Sequence, residues 1–453
     1  MIHKFEIAGC KIVLDVNSGA VHVFDAVAWE VIDDFTTLTK QEITAKYSAK
    51  YPLHEIEDVL TEIAELKGEG TLFANDAYQV PARDKVEPVV KSICLNVSHD
   101  CNMRCRYCFA GSGHFGGQRT LMSYEIGCQA IEFLLNNSAG RRHCELDFFG
   151  GEPLMNLGVV EKLVSYGKIA AAKKNKEIKF TLTTNALLLN EKATEFLNRE
   201  NISVVLSLDG RPAVNDAMRT MAGTGGGSYN FIEPNISAFV ASRNNENYFV
   251  RGTYTSENLD FSEDVIHLAD LGYKYISVEP VVGSPEAEWS LKEADLPGLF
   301  REYESLVREY LNRYRQDRPF EFFHFNLDLN NGPCLPKRLS GCGAGHEYLA
   351  VTPEGELYPC HQFIGREDFK VGNVLGGIER IDIVNRFREA NIYRKEKCSG
   401  CWAKFHCGGG CHANAELANG TITDPYHIGC ELEKKRLECA IYTQVIKAGY
   451  NEI

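Results

Sequence analysis

Apolar and polar positions recur with two different periods along this chain. Over its middle part, short apolar runs alternate with amphipathic stretches whose apolar positions are three or four residues apart. The apolar runs predict six strands, at residues 93–97, 146–149, 178–182, 204–208, 249–254 and 275–278. Amphipathic stretches such as residues 124–135 and 161–172 predict helices between the strands. This alternation is typical of parallel strands joined by right-handed crossovers.

The number of strand–helix units predicts an open, incomplete β/α barrel. Six strand–helix units are two fewer than the eight of a closed barrel. We therefore expect an α/β fold in which residues 88–325 form a partial (β/α)6 barrel. Loops after the strands of such a barrel are where chemistry is usually found.

Residues 1–80 have a different pattern. Alternating apolar residues flank a turn at Asn17-Ser18-Gly19, which predicts a hairpin. Helical patterns follow at residues 26–35 and 54–67, with a third between them that opens on a capping box, Thr39 to Glu42. A hairpin with three helices resembles a winged helix. With 6 Lys, no Arg and 14 acidic residues, however, this segment is a poor match for DNA.

The net charge and the apolar runs of the whole chain also exclude some classes of partner and location. Its net charge of −14 argues against a nucleic-acid partner. No apolar run is long enough to cross a membrane, and the first residues lack a secretion signal, so a cytoplasmic protein is expected. Residues 76–90, with Pro81 and Pro88, predict a linker.

Sixteen cysteines are many for a cytoplasmic protein. Reducing conditions disfavour disulfides there, so clustered cysteines are expected to be metal ligands or catalytic groups. Three lie within residues 101–108 and eight within residues 334–430. Five isolated cysteines are expected to be small buried hydrophobic residues: Cys10, Cys94, Cys128, Cys144 and Cys439.

The first cysteine group directly follows the first predicted strand. Cys101, Cys105 and Cys108 can present three thiolates from one short loop. A [4Fe–4S] cluster normally takes four thiolates, so three leave one iron open. A zinc knuckle or a ferredoxin-type site with a remote fourth ligand is the alternative for this motif alone.

The surrounding residues resemble the radical S-adenosylmethionine (SAM) superfamily, in which an aromatic residue precedes the third cysteine. Further matches follow on successive strand ends: the Gly-Gly-Glu-Pro turn at residues 150–153, then residues 183–185 and 207–210, and then an arginine. The resemblance implies that the turn meets the methionine amine and the arginine its carboxylate. The implied SAM contacts are Tyr107, Gly150, Gly151, Glu152, Thr183, Asn185, Ser207 and Arg219.

The last third of the chain, residues 330–453, resembles the SPASM extension of these enzymes, which implies two auxiliary [4Fe–4S] clusters. One would be held by Cys398, Cys401, Cys407 and Cys430. The other would be held by Cys342, Cys360 and Cys411. Either Cys334 or a thiolate of the substrate would complete the second set, and zinc-ribbon sites are the alternative.

The three-part layout is similar to that of peptide-modifying radical SAM/SPASM maturases, above all those of SCIFF peptides (six cysteines in forty-five residues). The resemblance implies three [4Fe–4S] clusters, SAM and a 5′-deoxyadenosyl radical that removes hydrogen from a precursor peptide. A cysteine sulfur would then bond to the carbon. Residues 1–80 would bind the peptide's leader, and an electron donor of flavodoxin or ferredoxin type would be a second partner.

Other activities remain open at this point. Sulfatase maturases have an Asp where this chain has His361, and they lack the N-terminal segment. A carbon–carbon crosslinker and a multi-cluster electron carrier are further alternatives, although a carrier would have no use for the SAM contacts. No catalytic base is assigned; the weak candidates are Glu279 and His361.

Overall fold

The computed structural model describes residues 1–76, 89–329 and 335–450. Two predictions therefore fall outside the described residues: most of the linker at 76–90, and Cys334. Within the described parts, no helix is long and apolar enough to cross a membrane.

The N-terminal part begins with an antiparallel sheet in the order β1-β2-β3. Its elements are β1 (Ile2–Ile7), β2 (Cys10–Asp15), β3 (Val21–Phe24), α1 (Ala26–Val31), α2 (Lys40–Tyr47) and α3 (Leu53–Glu69). The predicted hairpin is present as β2 and β3. Strand β1 was missed because its apolar residues do not alternate regularly; pairing with β2 is what makes it a strand.

Local sequence explains the helices of this part. Thr39 and Glu42 form the predicted capping box at the start of α2. The apolar stripe of α3, including Ile56 and Ile63, is buried against α1 and β2. Full burial of one such side chain contributes about 1.5–3 kcal/mol. The elements needed for a winged-helix-like unit are therefore present, and its function stays a prediction.

The middle of the chain contains all six predicted strands. The strands are β4 (Ser92–Ser98), β5 (Met103–Cys105), β6 (His143–Gly150), β7 (Glu177–Thr184), β8 (Ser203–Ser207), β9 (Arg219–Met221), β10 (Tyr248–Tyr254), β11 (Tyr275–Pro280) and β12 (Glu321–Phe322). Strands β4, β6, β7, β8, β10 and β11 are parallel neighbours in that order, with the short β12 parallel at the edge. Strands β5 and β9 form a separate antiparallel pair.

Helices connect these parallel strands as the periodicity predicts. They are α4 (Tyr124–Asn137), α5 (Leu157–Lys173), α6 (Glu191–Arg199), α7 (Pro212–Met218), α8 (Tyr229–Ser242), α9 (Phe261–Asp270) and α10 (Leu296–Arg315). The carboxyl ends of the strands therefore share one edge of the sheet, where the predicted SAM contacts lie.

The C-terminal part extends the same sheet, which the sequence did not reveal. Its elements are α11 (Leu335–Ser340), β13 (Tyr348–Val351), β14 (Glu356–Tyr358), β15 (Gly372–Asn373), β16 (Gly377–Ile378), α12 (Ile381–Glu389), α13 (Glu396–Ser399), α14 (Lys404–Cys407), α15 (His412–Asn419) and α16 (His427–Lys447). Strand β13 pairs parallel with β4, and β14 to β16 continue antiparallel. The expected parallel barrel sheet is thus part of a mixed sheet of eleven strands.

Candidate functional site

The loop with the first cysteine group leaves the carboxyl end of β4. Within it, β5 pairs with β9, and this pairing sets Cys105 opposite Arg219. Two distant segments of the chain are therefore joined directly at the predicted cluster site. The pairing holds the predicted carboxylate-binding arginine beside the cysteine loop.

The three thiols of this loop lie in a shielded environment. Burial, the nearby Glu152 carboxylate and the thiols of Cys105 and Cys108 together raise the pKa of Cys101 to about 12. Two donors oppose this: Met103 N lies 3.4 Å and Asn185 Nδ2 3.6 Å from the Cys101 sulfur. Metal binding must displace such protons, and hydrogen bonds to cluster sulfurs tune reduction potential.

The Gly-Gly-Glu-Pro turn packs against the start of the cysteine loop. Gly151 N donates to Ser98 O at 2.7 Å, and Glu152 N donates to Asp100 O at 2.9 Å. Gly150 has φ +127°, and a Cβ there would lie 2.3 Å from Ser98 O. The two glycines are thus required by backbone packing between strand ends, in addition to any approach of a ligand.

The Glu152 carboxylate is fully buried and mostly satisfied by protein donors. Its Oε1 accepts from Thr184 Oγ1 at 2.8 Å and from Leu154 N at 3.0 Å, and Oε2 accepts from Asn185 N at 2.8 Å. Burial raises the pKa of Glu152 to about 7. A carboxylate has about four acceptor positions, so one remains on Oε2.

A buried hydrogen-bond network of Tyr107, Asp209 and Arg219 joins the cysteine loop to the end of β8. Tyr107 donates its hydroxyl hydrogen to Asp209 Oδ2 at 2.6 Å, and Arg219 Nη1 donates to the Tyr107 hydroxyl at 3.4 Å. Arg219 Nη2 also donates to Ser207 O at 3.2 Å. Burial raises the pKa of Asp209, while Arg219 and Tyr107 oppose that rise. Sequence reasoning missed this role of Asp209, since only the fold brings it to Tyr107.

The other predicted SAM contacts lie on the same strand ends. Asn185 follows β7 and donates to Asn102 Oδ1 at 2.7 Å. Thr183 is half-buried within β7, and the half-buried Ser207 ends β8. The structure therefore brings the predicted residues to one end of the sheet, and their contact with SAM stays a prediction.

The three-cysteine set of the last third converges from separate elements. Cys342 follows α11, Cys360 follows β14 and Cys411 precedes α15. Burial raises the pKa of Cys360 well above its usual range, and the thiols of Cys411 and Cys342 raise it further. The three predicted ligands are therefore close enough to interact electrostatically. Cys334, the predicted fourth, lies outside the described residues.

The four-cysteine set also converges. Burial and then the thiols of Cys398 and Cys401 raise the pKa of Cys430 to about 11. Burial raises the pKa of Cys407 to about 12, with Glu433 and Cys430 adding to it.

A glycine segment links this set to the three-cysteine set. Gly408, Gly409 and Gly410 join Cys407 to Cys411, and all three have positive φ, at +67°, +94° and +72°. The N–H groups of Gly409 and Gly410 donate toward the Cys407 sulfur. Side chains rarely adopt this conformation, so the run of three glycines between two cysteines is a signal in the sequence from which this tight link could have been predicted.

The two weak base candidates have environments that do not suit a base near neutral pH. Glu279 lies 3.2 Å from His324 Nε2 and 3.5 Å from Arg436 Nη1. Although burial acts against it, these neighbours hold the pKa of Glu279 well below its usual range. Burial, with Arg251, lowers the pKa of His361 to about 4. A general base works best with a pKa near the operating pH.

A cleft of about 270 Å³ lies between the two predicted cluster regions. One side is formed by Tyr107 and Cys108 of the cysteine loop. The other side includes Gln362 and Ala413, each two residues beyond a cysteine of the three-cysteine set. A larger groove of about 410 Å³, between α4 and the β15–β16 turn, contains none of the predicted site residues.

The donor groups suit the expected cofactors. Arg219 Nε is buried and has no hydrogen-bond partner, so it can receive an acceptor such as a carboxylate. Among the described residues, no three His, Cys, Asp or Glu side chains are close enough to hold one metal ion. Thiolates are the ligands of [4Fe–4S] clusters, so the three cysteine sets suit the expected clusters by the chemistry of their side chains.

Two family models match the chain. A 4Fe-4S single cluster domain matches residues 91–232, and the SPASM iron-sulfur cluster-binding domain matches residues 342–402. The first match contains Cys101, Cys105 and Cys108, and the second contains four of the C-terminal cysteines, Cys342, Cys360, Cys398 and Cys401. The predicted iron–sulfur cofactors are therefore confirmed.

Curated relatives agree with the family models. The radical SAM cyclopropyl synthase TigE of Paramaledivibacter caminithermalis is 22% identical over 84% of this chain and 81% of its own length. A cysteine-type anaerobic sulfatase-maturating enzyme of Clostridium novyi is 24% identical over 75% of this chain and 92% of its own length. The models and relatives therefore show that this chain is similar to iron–sulfur enzymes of the radical SAM and SPASM type.

Solved structures share the fold. The enzyme anSMEcpe with bound AdoMet has a TM-score of 0.66 and 19% identity, covering 79% of this chain and 100% of that one. Streptococcus suis SuiB bound to its precursor peptide SuiA has a TM-score of 0.51 and 16% identity, covering 94% of this chain and 97% of that one. The α/β prediction is confirmed by these similarities.

Proposed function

We propose that this radical SAM/SPASM enzyme installs thioether crosslinks between a cysteine sulfur and a carbon of another residue in a ribosomally made precursor peptide. The observation that carries the proposal is the cleft between the two cysteine regions. Residues beside Cys360 and Cys411 line one side, and Cys108 and Tyr107 line the other. A peptide in this cleft would meet both sites at once.

The reaction balances as an oxidation of the peptide. The first cluster and SAM supply the 5′-deoxyadenosyl radical when bound. For each crosslink, the peptide loses one carbon–hydrogen and one sulfur–hydrogen bond and gains a carbon–sulfur bond. One hydrogen atom would convert the 5′-deoxyadenosyl radical into 5′-deoxyadenosine, and the other would leave as a proton. The cysteines of the C-terminal part would hold the auxiliary cluster that supplies the acceptor for the remaining electron.

The protein's own residues would hold the reactants. Arg219 and the free acceptor of Glu152 suit the carboxylate and amine of SAM, because each offers a buried, charge-assisted hydrogen bond. Cys342, Cys360 and Cys411 would leave one coordination position for a substrate thiolate if Cys334 does not fill it. Metal coordination lowers the pKa of a thiol, so it would prepare the sulfur for bonding.

Crosslinking is tested with a cysteine-rich precursor peptide encoded beside the gene, the reconstituted enzyme, SAM and a reductant. We expect a product lighter by two hydrogen atoms per crosslink, with one thiol fewer available to an alkylating reagent. Mass spectrometry measures both. Loss of hydrogen with every thiol still alkylated would indicate a carbon–carbon crosslink and overturn the thioether proposal.

We further propose that residues 1–80 bind the peptide's leader as an added strand on β3. Strand β1 is partly covered, since His3 stacks on Trp402 at 3.7 Å and lies 2.9 Å from Glu438. Among the described residues, β3 pairs with β2 alone, so its other edge can accept a strand. SuiB, which shares the fold, was solved with its precursor peptide, and this supports a peptide partner.

Substitution at the β3 edge should weaken leader binding. Asp15 N bonds to Ala20 O, so by antiparallel alternation the backbone of Val23 faces the free edge. Val23→Pro should raise the Kd of a leader peptide about 5- to 150-fold, because about 1–3 kcal/mol of backbone hydrogen bonding is lost. Fluorescence anisotropy with labelled leader measures the change.

Val23→Thr is the matched control, since it keeps the N–H and the branched side chain. It should bind the leader with nearly unchanged affinity. Undiminished modification of the full precursor by a chain lacking residues 1–76 would contradict the leader-binding proposal.

A further inference from the structure

Lys395 is the least expected side chain among the auxiliary cysteines. It lies directly before α13 and is 0% exposed. Its Nζ donates to Gly409 O at 2.7 Å and lies 3.3 Å from His412 Nδ1. Burial lowers the pKa of His412 to about 3, so its ring is neutral and can accept this hydrogen bond.

No carboxylate pairs with Lys395 in the described part of the chain. Other buried or half-buried lysines nearby follow the usual rule: Lys404 lies 3.1 Å from Asp76, and Lys434 contacts Glu431. A buried ammonium without a counter-charge is costly, and proteins pair such groups almost always. Within the described residues, a negative partner of Lys395 would therefore be a group other than Asp or Glu.

Burial lowers the pKa of Lys395, and the charges of nearby cysteine thiols oppose that shift. Four thiols act in this way: Cys398, Cys407, Cys411 and Cys430. The first, second and fourth belong to the predicted four-cysteine set, and Cys411 belongs to the three-cysteine set. The charge of Lys395 therefore acts on both sets. As thiolate ligands, these cysteines would supply the missing negative charge.

The position of the hydrogen bond strengthens this interpretation. Gly409 is the middle residue of the left-handed glycine segment that joins Cys407 to Cys411. By holding the Gly409 carbonyl, Lys395 fixes the segment that links the two ligand sets. Lys395 therefore places a positive charge near both cysteine sets and also holds the glycine segment that joins them.

We propose that Lys395 is a positioning residue whose ammonium is the internal counter-charge of both auxiliary clusters and raises their reduction potentials. Each cluster gains one negative charge when it accepts one electron. A buried cation stabilises that extra charge, since the reduction potential of a cluster depends on net charge and on hydrogen bonds around it. The clusters are thereby prepared to accept the electron released by peptide oxidation.

This inference rests on the assignment of the two cysteine sets as cluster ligands. Its test is an anaerobic redox titration of the full-length holoprotein, followed by electron paramagnetic resonance, with iron and sulfide counted in each sample. Lys395→Gln keeps a donor for Gly409 O and removes the charge. We expect the ratio of reduced to oxidised auxiliary cluster at a fixed potential to fall about tenfold, which is about 59 mV for one electron.

Two variants separate the charge from other effects. Lys395→Arg keeps the charge and should stay near the wild-type potential. Lys397→Gln removes an equal charge two residues away, where the side chain is 65% exposed and paired with Asp424. Water screens that charge, so its removal should change the ratio much less than tenfold.

Each outcome supports or overturns the proposal. Full iron and sulfide in Lys395→Gln with unchanged potentials overturns the proposal and leaves the ligand assignment intact. Loss of clusters in Lys395→Gln but not in Lys395→Arg supports it, because the charge is then needed for assembly. Loss of clusters in both variants would mean that the shape of the lysine side chain is required and that its charge is not. That result also overturns the proposal. A wild-type protein without auxiliary clusters refutes the ligand assignment itself.

Discussion

Replacing Cys101, Cys105 and Cys108 together with alanine should reduce 5′-deoxyadenosine formation to the level of a sample without enzyme. The three thiols share one loop at the end of β4, and the thiol of Cys101 interacts with the Glu152 carboxylate and lies 3.6 Å from Asn185 Nδ2. On the proposed assignment of these thiols as the ligands of the SAM-binding cluster, the triple variant would keep none of them, and about four irons per chain should be lost. Chromatography of the nucleoside and an iron assay measure the two effects.

Cys128→Ala is the matched control for this experiment. Cys128 is a residue of α4 that lines the groove between α4 and the β15–β16 turn. It is only partly exposed and belongs to none of the three cysteine sets. Its removal should leave iron content and turnover unchanged. Unaltered 5′-deoxyadenosine production by the triple variant would refute the assignment of the loop as the cluster site.

Arg219→Met should weaken SAM binding about 10- to 150-fold. The guanidinium is 6% exposed, and its Nε has no protein partner. Loss of a charge-assisted hydrogen bond costs about 1.5–3 kcal/mol, which gives this range of affinity. Equilibrium dialysis of the anaerobic holoprotein measures the Kd, and its iron content shows whether the cluster is retained.

Arg106→Met provides the comparison. Arg106 adjoins Tyr107 in the same loop, but its side chain is 40% exposed and pairs with Glu257 at 2.8 Å on the surface. Such pairs contribute about 0–1 kcal/mol, so SAM affinity should change little. If Arg219→Met keeps its iron and binds SAM as tightly as the wild type, Arg219 is a structural residue of the Tyr107–Asp209 group.

The sequence alone determined the features that depend on near neighbours in the chain. The six parallel strands, the capping box at Thr39 and the loop spacing of Cys101, Cys105 and Cys108 follow from local periodicity and local turns. The spacing of apolar residues and the capping of helix ends depend on residues only a few positions apart. A short segment of sequence is therefore enough to predict them. The order of strands then places every motif that ends a strand at one edge of the sheet.

The tertiary structure decided everything that depends on pairing across distance. Strand β1 exists because β2 pairs with it, and β13 extends the sheet because it pairs with β4. Glu152 receives its donors from the end of β7, and Lys395 has cysteines where a carboxylate would be expected. Local sequence patterns do not predict such partners. Residues distant in the sequence become buried together and form hydrogen bonds only when the whole chain is folded.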